Sequence, residues 1–379
     1  MSPLRVLRPL HDYRPHPKAL MVVPFALIAV VTVLDITTSP DVHLGPFLVA
    51  APALTASFAG ARATAFVGAV AVLAQTLVSV VRTSISDLNH TYQIIALFLI
   101  SVFVTFFAHL REQHALELTH LRSVAQVVQR VVMPPLPERS GTLRIASLYL
   151  AAEAEAQLGG DLYAIARTAG GTRVIIGDVR GKGLEAMGEA AQVLGAFRAL
   201  AHQEPDLPRA VAQLEATVAA DREFTSEGDG EGGTETFVTA AVLDIPDHGA
   251  DLRLVSCGHP PPLLLRSGRV RPLDVPDPAS PLGLGALGAS DFTPRTFRFD
   301  VGDVLLLYTD GVIEARDPAG RFYPLSDRVP SCRSDSPGAL LEDLRADLLR
   351  HADGHLGDDA AVVVIERLAP DDAAAAAYR

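Results

Sequence analysis

Four acidic positions in this sequence could do chemistry, because each ends or adjoins an apolar, strand-like run. They are Asp161 in QLGGDLYAI, Asp178 in VIIGDVRGKG, Asp310 in LLLYTDGVIEAR, and the pair Asp358–Asp359 in GHLGDDAAVVVIE. Aspartate is depleted within strands, so packing alone does not explain acids at all of these ends. Any one of them alone would more often be a solvated turn or a helix cap. Together, in a region without a cysteine or histidine cluster, they predict oxygen ligands for hard cations such as Mg²⁺ or Mn²⁺.

The stretch VIIGDVRGKGLEAM also carries three glycines and Lys182, a composition that could cradle the phosphates of a nucleotide. A P-loop requires G-x-x-x-x-G-K-[ST], but here Gly177 and Gly181 are separated by only three residues, and no hydroxyl follows Lys182. The G-x-G-x-x-G dinucleotide fingerprint is also absent. GGDLY lacks the second acid that a nucleotide cyclase would require. We therefore interpret Asp178 as the functional residue of this stretch and do not interpret the stretch as a nucleotide-binding loop.

From Leu143 to Leu368, short apolar runs are separated by glycine and proline. This pattern predicts that strands position the four acidic sites. Helices are predicted over Leu184–His202, Leu207–Glu223 and Pro337–Arg350. Grouped strands and grouped helices indicate an α+β fold rather than regular βαβ alternation. A flexible surface loop is predicted over 226–235 and a disordered tail over 369–379.

Four apolar stretches near the N-terminus are each about long enough to cross a hydrocarbon core of roughly 30 Å. They are Ala19–Leu34, Leu44–Gly60, Ala63–Val81 and Gln93–Ala108, and none carries an interior charge. Basic residues precede the first stretch (residues 1–18) and follow the fourth, whereas the first connecting loop holds Asp35 and Asp41. By the positive-inside rule both ends face the cytoplasm, although Arg82 in the third loop is an exception. We therefore expect a multi-pass protein of the cell membrane, with four transmembrane helices over 19–109 and no cleaved signal peptide.

Residues 110–133 are predicted to form a helical linker. His114, Leu118, Leu121, Ala125, Val128 and Val132 repeat at intervals of four and three, a heptad-like seam about three heptads long. Two interpretations of this seam stay open: a helix that packs on its own catalytic domain, or a helix that forms a homodimer. Prolines from Pro134 onward are expected to end the helix.

Charge divides the chain in the same place. Residues 1–133 contain 9 basic and 6 acidic side chains (net +3), and residues 134–379 contain 23 and 38 (net −15). An acidic domain does not fit a nucleic-acid binder, which needs a basic face. The two cysteines, Cys257 and Cys332, have no metal-ligand spacing and suit a reducing cytoplasm without disulfides.

The ordered motifs GGDLY, GDVRGKGLEAM, TFVTAAVLDI, CGHPPPLLL, YTDGVIEAR and GDDAAVVVI resemble those of the metal-dependent serine/threonine protein phosphatases (PPM, or protein phosphatase 2C-like). They are most similar to the bacterial branch typified by stage II sporulation protein E and the stress-response phosphatases. The resemblance covers about 134–368, preceded by a helix that ends in VMPPLP. It implies an α-β-β-α sandwich with a two-metal site, holding Mn²⁺ or Mg²⁺, at one end.

The resemblance also implies roles for individual residues. Asp178 would bridge two divalent cations, with the carbonyl of Val179 also contributing, and Asp161 would act largely through water. Asp310 and Asp358 would complete the ligand shell of the second ion, with Asp359 as the alternative to Asp358. Two cations lower the pKa of a water and clamp phosphoryl oxygens, so no nucleophilic side chain is required. Accessory positions are Gly160, Lys182, His259 and Gly311.

Two departures from the family pattern bear on these roles. Ala164 stands where Asp is common, which puts an accessory metal contact in doubt, and Ser256–Cys257 alter the turn before His259. A buried structural histidine is the alternative for His259, and Lys182 is interpreted as a phosphate contact or helix cap rather than a catalytic group.

The sequence thus predicts a membrane-anchored protein phosphatase that hydrolyses phosphoserine or phosphothreonine. By analogy with the family, its partner would be a phosphorylated anti-anti-sigma factor of the STAS type, in a pathway that regulates a sigma factor. The linker seam would transmit a signal from the spans. A catalytically weak scaffold that binds a phosphoprotein, or a membrane sensor, is the alternative. A transporter is disfavoured, because the spans lack an ionisable residue.

Overall fold

The computed structural model describes residues 20–38, 44–81, 88–152, 159–226, 237–285, 291–332 and 335–369, without the side chains of 88–90, 117–128 and 221–226. Except for Ser226 and Ala369, the predicted loop over 226–235 and the predicted tail over 369–379 lie outside these residues, as does the N-terminal segment 1–18. The chain divides into two compact units, Met1–His120 and Leu121–Arg379. Each is described by itself.

The first unit is helical. Its helices are α1 (Val22–Thr37), a 3-10 turn over Gly45–Val49 that continues into α2 (Ala50–Phe58), α3 (Ala61–Val81) and the start of α4 (Leu88–Val132). Apolar side chains of these helices form one cluster, which includes Ile28, Leu48, Ala51, Val67 and Leu97. Many other large apolar side chains on α3 and α4 are exposed, among them Phe66, Leu73, Phe98 and Phe103. Such all-round apolar helices are typical of a lipid environment.

Two helices of the first unit are long and apolar enough to cross a membrane, Ala61–Val81 and Thr91–Leu116. They include the third and fourth predicted spans. The first two predicted spans correspond to the 16-residue α1 and to the 3-10 turn with the 9-residue α2, which are shorter. Asp35, predicted in a loop, instead lies within α1, where it is buried and accepts a hydrogen bond from the backbone N–H of Leu44 at 3.1 Å.

The second unit contains strands of two antiparallel sheets. The strands are β1 (Arg139–Ser140), β2 (Leu143–Leu150), β3 (Asp161–Arg167), β4 (Gly171–Val179), β5 (Val238–Pro246), β6 (Asp251–Cys257), β7 (Leu263–Arg266), β8 (Arg269–Pro272), β9 (Arg295–Arg298), β10 (Val304–Tyr308) and β11 (Ala360–Arg367). One sheet has the order β1-β2-β11-β10-β7-β8 and the other β3-β4-β5-β6-β9. Val, Ile and Leu dominate the central strands, as expected for strands that are covered on both faces.

Helices cover the outer face of each sheet. These are α5 (Leu184–Gln203) and α6 (Leu207–Ser226), two short helices α7 (Asp310–Ile313) and α8 (Leu325–Arg328), and α9 (Pro337–His351). The first two pack on the five-stranded sheet and α9 packs on the other. The predicted helices are confirmed to within a few residues at their ends.

Strand β11 illustrates how the layers form. Its alternate residues Ala361, Val363 and Ile365 belong to the core between the sheets, whereas Val362 and Val364 belong to a second cluster with α9. Because successive strand side chains point to opposite faces, an unbroken apolar run fills both cores at once. The layering is α-β-β-α, and it agrees with the expectation from the sequence.

The turn between α5 and α6 is fastened to the sheet by a buried arginine. Arg173 on β4 is 1% exposed and forms a two-pronged ion pair with Asp244 on β5, at 2.6 and 3.0 Å. Its remaining donors reach the carbonyls of Glu204 and Pro205 at 2.9 and 3.2 Å. A buried guanidinium needs this degree of pairing, so the contact fixes where the two helices lie on the sheet.

Helix α4 continues through the predicted linker and ends at Val132, before the prolines. Within the second unit, the last turn packs on the sandwich: Met133 is 5% exposed in its core, and Arg198 donates to the carbonyl of Val132 at 3.4 Å. This contact favours packing on the chain's own domain at the end of the linker. The side chains of 117–128 lie outside the described set, so the dimer interpretation of the seam stays a prediction.

Candidate metal centre

Strand ends from both sheets meet at one end of the sandwich. Asp161 is the first residue of β3, and in the antiparallel register it lies opposite Asp178, next to the last residue of β4. In the other sheet, Asp310 follows β10, and Asp358 and Asp359 directly precede β11, the antiparallel neighbour of β10. These residues line one cavity of about 300 Å³, together with Gly160, Val179, Arg180, Gly181, Lys182, Phe237 and Thr239.

Three carboxylates in this cavity are close enough to share a cation. One oxygen from each of Asp161, Asp178 and Asp310 lies within 4.8 Å of the others. Oxygen ligands at such spacing suit Mg²⁺, Mn²⁺ or Ca²⁺. The acids that the sequence predicted from separate motifs are therefore brought together by the fold.

Asp161 is the most buried of the three. Its side chain accepts a hydrogen bond from the Thr309 hydroxyl at 2.8 Å, and that hydroxyl in turn accepts from the backbone N–H of Ala361 at 2.9 Å. Burial, followed by the charge of Asp178, raises the pKa of Asp161 well above its usual range. The hydrogen bond from Thr309 does not offset the cost of ionising a buried carboxylate beside Asp178. A nearby cation would favour the ionised form of Asp161.

Burial and neighbouring negative charges also raise the pKa values of Asp178 and Asp310. Burial, then the charges of Asp310 and Asp358, raise the pKa of Asp178 to about 7. Burial, then Glu314 and Asp358, raise the pKa of Asp310. Divalent cations would reverse these shifts, because a nearby opposite charge favours the ionised carboxylate. The donor set therefore fits the divalent ions expected from the sequence.

Two glycines permit the close approach of the chain segments. A Cβ on Gly160 would lie 2.3 Å from the carbonyl oxygen of Val179, and one on Gly311 would lie 1.9 Å from that of Asp359. Neither position could hold a side chain without moving backbone. Both glycines were predicted as accessory positions of the site, and this steric constraint gives a physical reason for a glycine at each.

The two adjacent acids before β11 have different environments. Asp359 is 7% exposed and accepts a hydrogen bond from the backbone N–H of Ala152 at 2.7 Å. The Asp358 side chain is 51% exposed, accepts from its neighbour's N–H, and pairs with Lys182 at 2.9 Å. Neither belongs to the three-carboxylate cluster among the described residues, although both line its cavity.

His259 links the two sheets beside the cavity. It is 5% exposed, and its Nε2 lies 3.1 Å from the carbonyl oxygen of Tyr308, which can only accept. Nε2 therefore carries the proton, and Nδ1 accepts from the Thr239 hydroxyl at 3.1 Å. Burial lowers the pKa of His259 to about 4, so the ring is neutral. His259 holds Tyr308 and Thr239 in place, next to Asp310 and opposite Asp178 respectively.

The departures from the family pattern are accommodated by packing. Ala164 is buried in the core of the sandwich and does not line the described cavity. Ser256 and Cys257 are buried, and the Ser256 hydroxyl lies 3.5 Å from the carbonyl of His259. Glu185 is exposed on α5.

Sequence reasoning missed four residues at this site: Thr309, Thr239, Arg180 and Phe237. The Thr309 hydroxyl donates to Asp161, and the Thr239 hydroxyl donates to His259. Arg180 lies 5.2 Å from the centre of the Phe237 ring at the cavity mouth, and its backbone N–H donates to the Phe237 carbonyl at 2.8 Å. All four lie in motifs quoted above, namely YTDGVIEAR, GDVRGKGLEAM and TFVTAAVLDI, but only the fold brings them to the acids.

The fold and the acidic site define a phosphatase domain of the PP2C type. The structure is similar to the SiaA PP2C domain of Pseudomonas aeruginosa, with a TM-score of 0.53 and 15% identity over 68% of this chain and 99% of that one. It is also similar to the RsbU and RsbW domains of a Mycobacterium tuberculosis protein, with a TM-score of 0.51 and 27% identity over 63% of each chain.

Residues 168–368, more than half of the chain, match the family described as stage II sporulation protein E (SpoIIE), and the chain belongs to that family. A curated relative, protein IcfG of Synechocystis sp., is 24% identical over 221 residues, or 51% of this chain. The chain spans a third of the length of that relative.

Proposed function

We propose that this protein is a metal-dependent serine/threonine phosphatase that removes phosphate from a protein. The observation that carries the proposal is the convergence of Asp161, Asp178 and Asp310, with carboxylate oxygens within 4.8 Å of one another, in an open cavity of a PP2C-type domain. A protein phosphatase needs such a site at its surface, because the phosphorylated side chain must reach it from another molecule.

Two divalent cations would be held by Asp161, Asp178 and Asp310, with Asp358 or Asp359 and the carbonyl of Val179 in support. When bound, the ions supply Lewis-acid activation of water and neutralise negative charge on the phosphoryl group. The uncompensated burial of Asp161 and Asp178 supports this assignment, since both carboxylates are costly to ionise without a cation.

The remaining tasks belong to side chains of this chain. The Thr309 hydroxyl holds Asp161 in one orientation, because it is itself fixed by the N–H of Ala361. His259 holds Thr239 at the cavity wall. Lys182 keeps Asp358 at the rim through their ion pair, which would have to rearrange if Asp358 ligates an ion. Thr309 and His259 are buried and do not line the cavity, and Lys182 is ion-paired, so none of them is placed to attack phosphorus. Direct attack by water is therefore the chemistry that this site supports.

The substrate is proposed to be a phosphorylated STAS-type anti-anti-sigma factor, whose dephosphorylation would regulate a sigma factor. Membership in the SpoIIE family supports this assignment. So does the similarity to a Mycobacterium tuberculosis protein that combines RsbU and RsbW domains.

We further propose that the first unit anchors the phosphatase in the cell membrane, with four membrane-inserted helical segments and the second unit in the cytoplasm. Two helices of sufficient length and many exposed apolar side chains support an anchor. The shorter α1 and α2 would have to insert with neighbouring residues to complete the four spans.

Hydrolysis of a phosphoserine peptide by the fragment 121–379 tests the enzymatic proposal, since this unit contains both sandwich cores. Turnover that requires Mn²⁺ or Mg²⁺ and is abolished by Asp178→Asn is expected. Phosphopeptide binding without turnover at any metal concentration would instead favour a scaffold. Removal of phosphate by the Asp178→Asn variant would contradict the assigned site.

A further inference from the structure

Each sheet of the second unit ends in an edge strand that is rich in arginine. Strand β8 (Arg269–Pro272) is the last strand of the six-stranded sheet, and β9 (Arg295–Arg298) is the last strand of the other. Arg266 on β7 donates to the carbonyl of Arg298 on β9 at 3.2 Å. The two arginine-rich edges therefore border the same side of the sandwich.

The two arginines of β8 project from the face that turns toward the other sheet. Arg271 lies opposite Leu264, which belongs to the core cluster between the sheets, whereas the neighbouring Leu263 belongs to the cluster with α9. Residues directly opposite each other share a face, and so do residues two apart along a strand. Arg269 and Arg271 are therefore on this inward-turned face, about 7 Å apart along the strand. Both are exposed, because β8 is the margin of the sheet.

Arg295 projects toward them from the margin of the other sheet. It lies opposite Leu254 on β6, whose neighbour Arg253 forms an ion pair with Asp244 at 3.0 Å. Asp244 also pairs with Arg173, which reaches the turn between α5 and α6, so Arg253 lies on the helix-covered face. Alternation along β6 and β9 places Leu254 and Arg295 on the opposite face, which turns toward β8.

The three arginines lie at about the same level of the sandwich. From the contact between Arg266 and Arg298, both edges run toward the metal centre, and they reach Arg271 on one side and Arg295 on the other. Stacked sheets are about 10 Å apart. A single chain segment between the two edges could therefore contact the guanidinium groups of both.

These three side chains lack the acidic partners that neighbouring arginines have. Arg266 pairs with Asp303 and Arg298 pairs with Asp300. Among the described residues, no side chain forms an ion pair or a hydrogen bond with the guanidinium groups of Arg269, Arg271 and Arg295. In a region with a net charge of −15, three unpaired arginines create a local positive field that attracts an acidic ligand.

Protection of the sheet edge does not account for this arrangement. Charged side chains at an edge prevent pairing with strands of other chains. However, β8 is only four residues long and ends in Pro272, which has no N–H to donate. A recess of about 620 Å³ lies against Arg269 and Arg271, with Leu264 and Val270 also in its wall. A recess that combines arginine with apolar residues suits a polypeptide segment better than the plane of a lipid surface.

We propose that Arg269, Arg271 and Arg295 form an arginine groove that binds an acidic, extended segment of a partner protein. The segment lies along β8, and its carboxylates pair with the guanidinium groups. Because an extended peptide has nearly the same rise per residue as β8, acids at alternate positions match Arg269 and Arg271. None of the three arginines lines the acidic cavity, so the inference goes beyond the proposed function.

Fluorescence anisotropy with the full-length protein in nanodiscs of zwitterionic lipid tests the proposal. The probe is a fluorescein-labelled peptide with glutamate and threonine at alternate positions. One comparison peptide has the same composition with the glutamates in a single block, and another has glutamine in place of glutamate. We expect the alternating peptide to bind about threefold more tightly than the block peptide, and the glutamine peptide not to bind.

Substitutions in the groove should weaken binding of the alternating peptide in steps. Arg271→Gln should weaken it about threefold, the scale of an exposed charge pair, and the triple change Arg269→Gln, Arg271→Gln and Arg295→Gln at least about tenfold. Arg271→Lys should have a smaller effect than Arg271→Gln, because it keeps the charge without the two-pronged geometry. Arg209→Gln is the matched control: it changes an exposed arginine on α6 and should bind as the wild type does.

The outcomes separate the groove from its alternatives. No binding by the wild type, equal binding by the triple variant, or an equal loss in Arg209→Gln overturns the groove. Equal affinity for the block peptide refutes an extended segment. Binding that disappears in nanodiscs with anionic lipid assigns the arginines to a lipid surface and also overturns the proposal. Hydrolysis of a phosphoserine peptide with alanine flanks should be unchanged in the triple variant, and its absence in the wild type would refute the phosphatase assignment without affecting the binding result.

Discussion

Replacement of Asp178 by asparagine should stabilise the metal-free phosphatase domain. Asp178 lies opposite Asp161 in the β3–β4 register, and both are within 4.8 Å of Asp310 through one oxygen each. Without cations, the three buried or half-buried carboxylates repel one another. Asparagine keeps the size and polarity of the side chain and removes one of the charges, so this repulsion is reduced.

The pKa of Asp178 sets the magnitude and the pH window. Its pKa in the folded protein is about 7, against an ordinary value of 3.8. The folded state therefore holds a proton that the unfolded state has lost, and stability falls as pH rises from about 4 to about 7. At about 1.4 kcal/mol per pKa unit, the upper limit of the cost is about 4 kcal/mol. Asparagine still bears the desolvation of a polar group, so we expect a gain of about 1–2 kcal/mol at pH 8.

Urea unfolding of residues 121–379 in a chelator, at pH 8 and at about pH 4, measures this gain. The difference between Asp178→Asn and wild type should be present at pH 8 and vanish at the lower pH, where the acid is protonated. Mn²⁺ should reverse the order, because ligand binding stabilises only the chain that retains the site. Asp277→Asn, at an exposed acid, is the control and should be neutral. Equal destabilisation by Asp178→Asn at both pH values would refute the electrostatic reasoning.

Three further predictions follow from the same site. Gly160→Ala places a Cβ 2.3 Å from the Val179 carbonyl oxygen, so it should cost about 1–3 kcal/mol in urea unfolding and lower turnover, whereas Gly170→Ala, with open space, should not. Thr309→Val removes the donor to Asp161 and the acceptor for an N–H, and should weaken Mn²⁺ binding in calorimetry, whereas Thr309→Ser should restore it. Mn²⁺ affinity should rise between about pH 6 and pH 8, because Asp178 must lose a proton to ligate; a pH-independent affinity would contradict the raised pKa.

The sequence predicted the second unit well, because the signals it uses are local. Unbroken Val- and Ile-rich runs, such as the one that becomes β11, can be satisfied only where both faces of a strand are covered. Helices such as α5 and α9 begin and end near glycine or proline, and their bounds were predicted to within a few residues. The first two apolar stretches were harder, because hydropathy reports composition and not helix length. Pro46 starts a 3-10 turn within the second of them.

The partners of the acidic side chains could not be predicted in this way. The hydroxyl that orients Asp161 belongs to Thr309, 148 residues further along the chain. The ring that supports Arg180 belongs to Phe237, which directly precedes β5. The Thr309–Asp161 bond depends on how the two sheets pack together, and the Arg180–Phe237 contact depends on how β4 pairs with β5. Neither periodicity nor spacing encodes that information.

Whether Asp358 or Asp359 is the metal ligand cannot be predicted from the sequence pattern alone and depends on the environment of each side chain. Both acids precede β11, and alternation along the strand sends their side chains to opposite sides. Asp359 is buried and fastened to the N–H of Ala152, so it is positioned to hold the neighbouring segment against the sheet. Asp358 is exposed and held only by Lys182 and a backbone N–H, and it contributes to the raised pKa of both Asp178 and Asp310.

A ligand must be able to exchange its partner for a cation, and an exposed ion pair is exchanged at little cost. The environment therefore favours Asp358 as the ligand, with Asp359 in support. Asp358→Asn should accordingly weaken Mn²⁺ binding with little loss of stability, whereas Asp359→Leu, which removes the acceptor for the Ala152 N–H, should destabilise the metal-free fold.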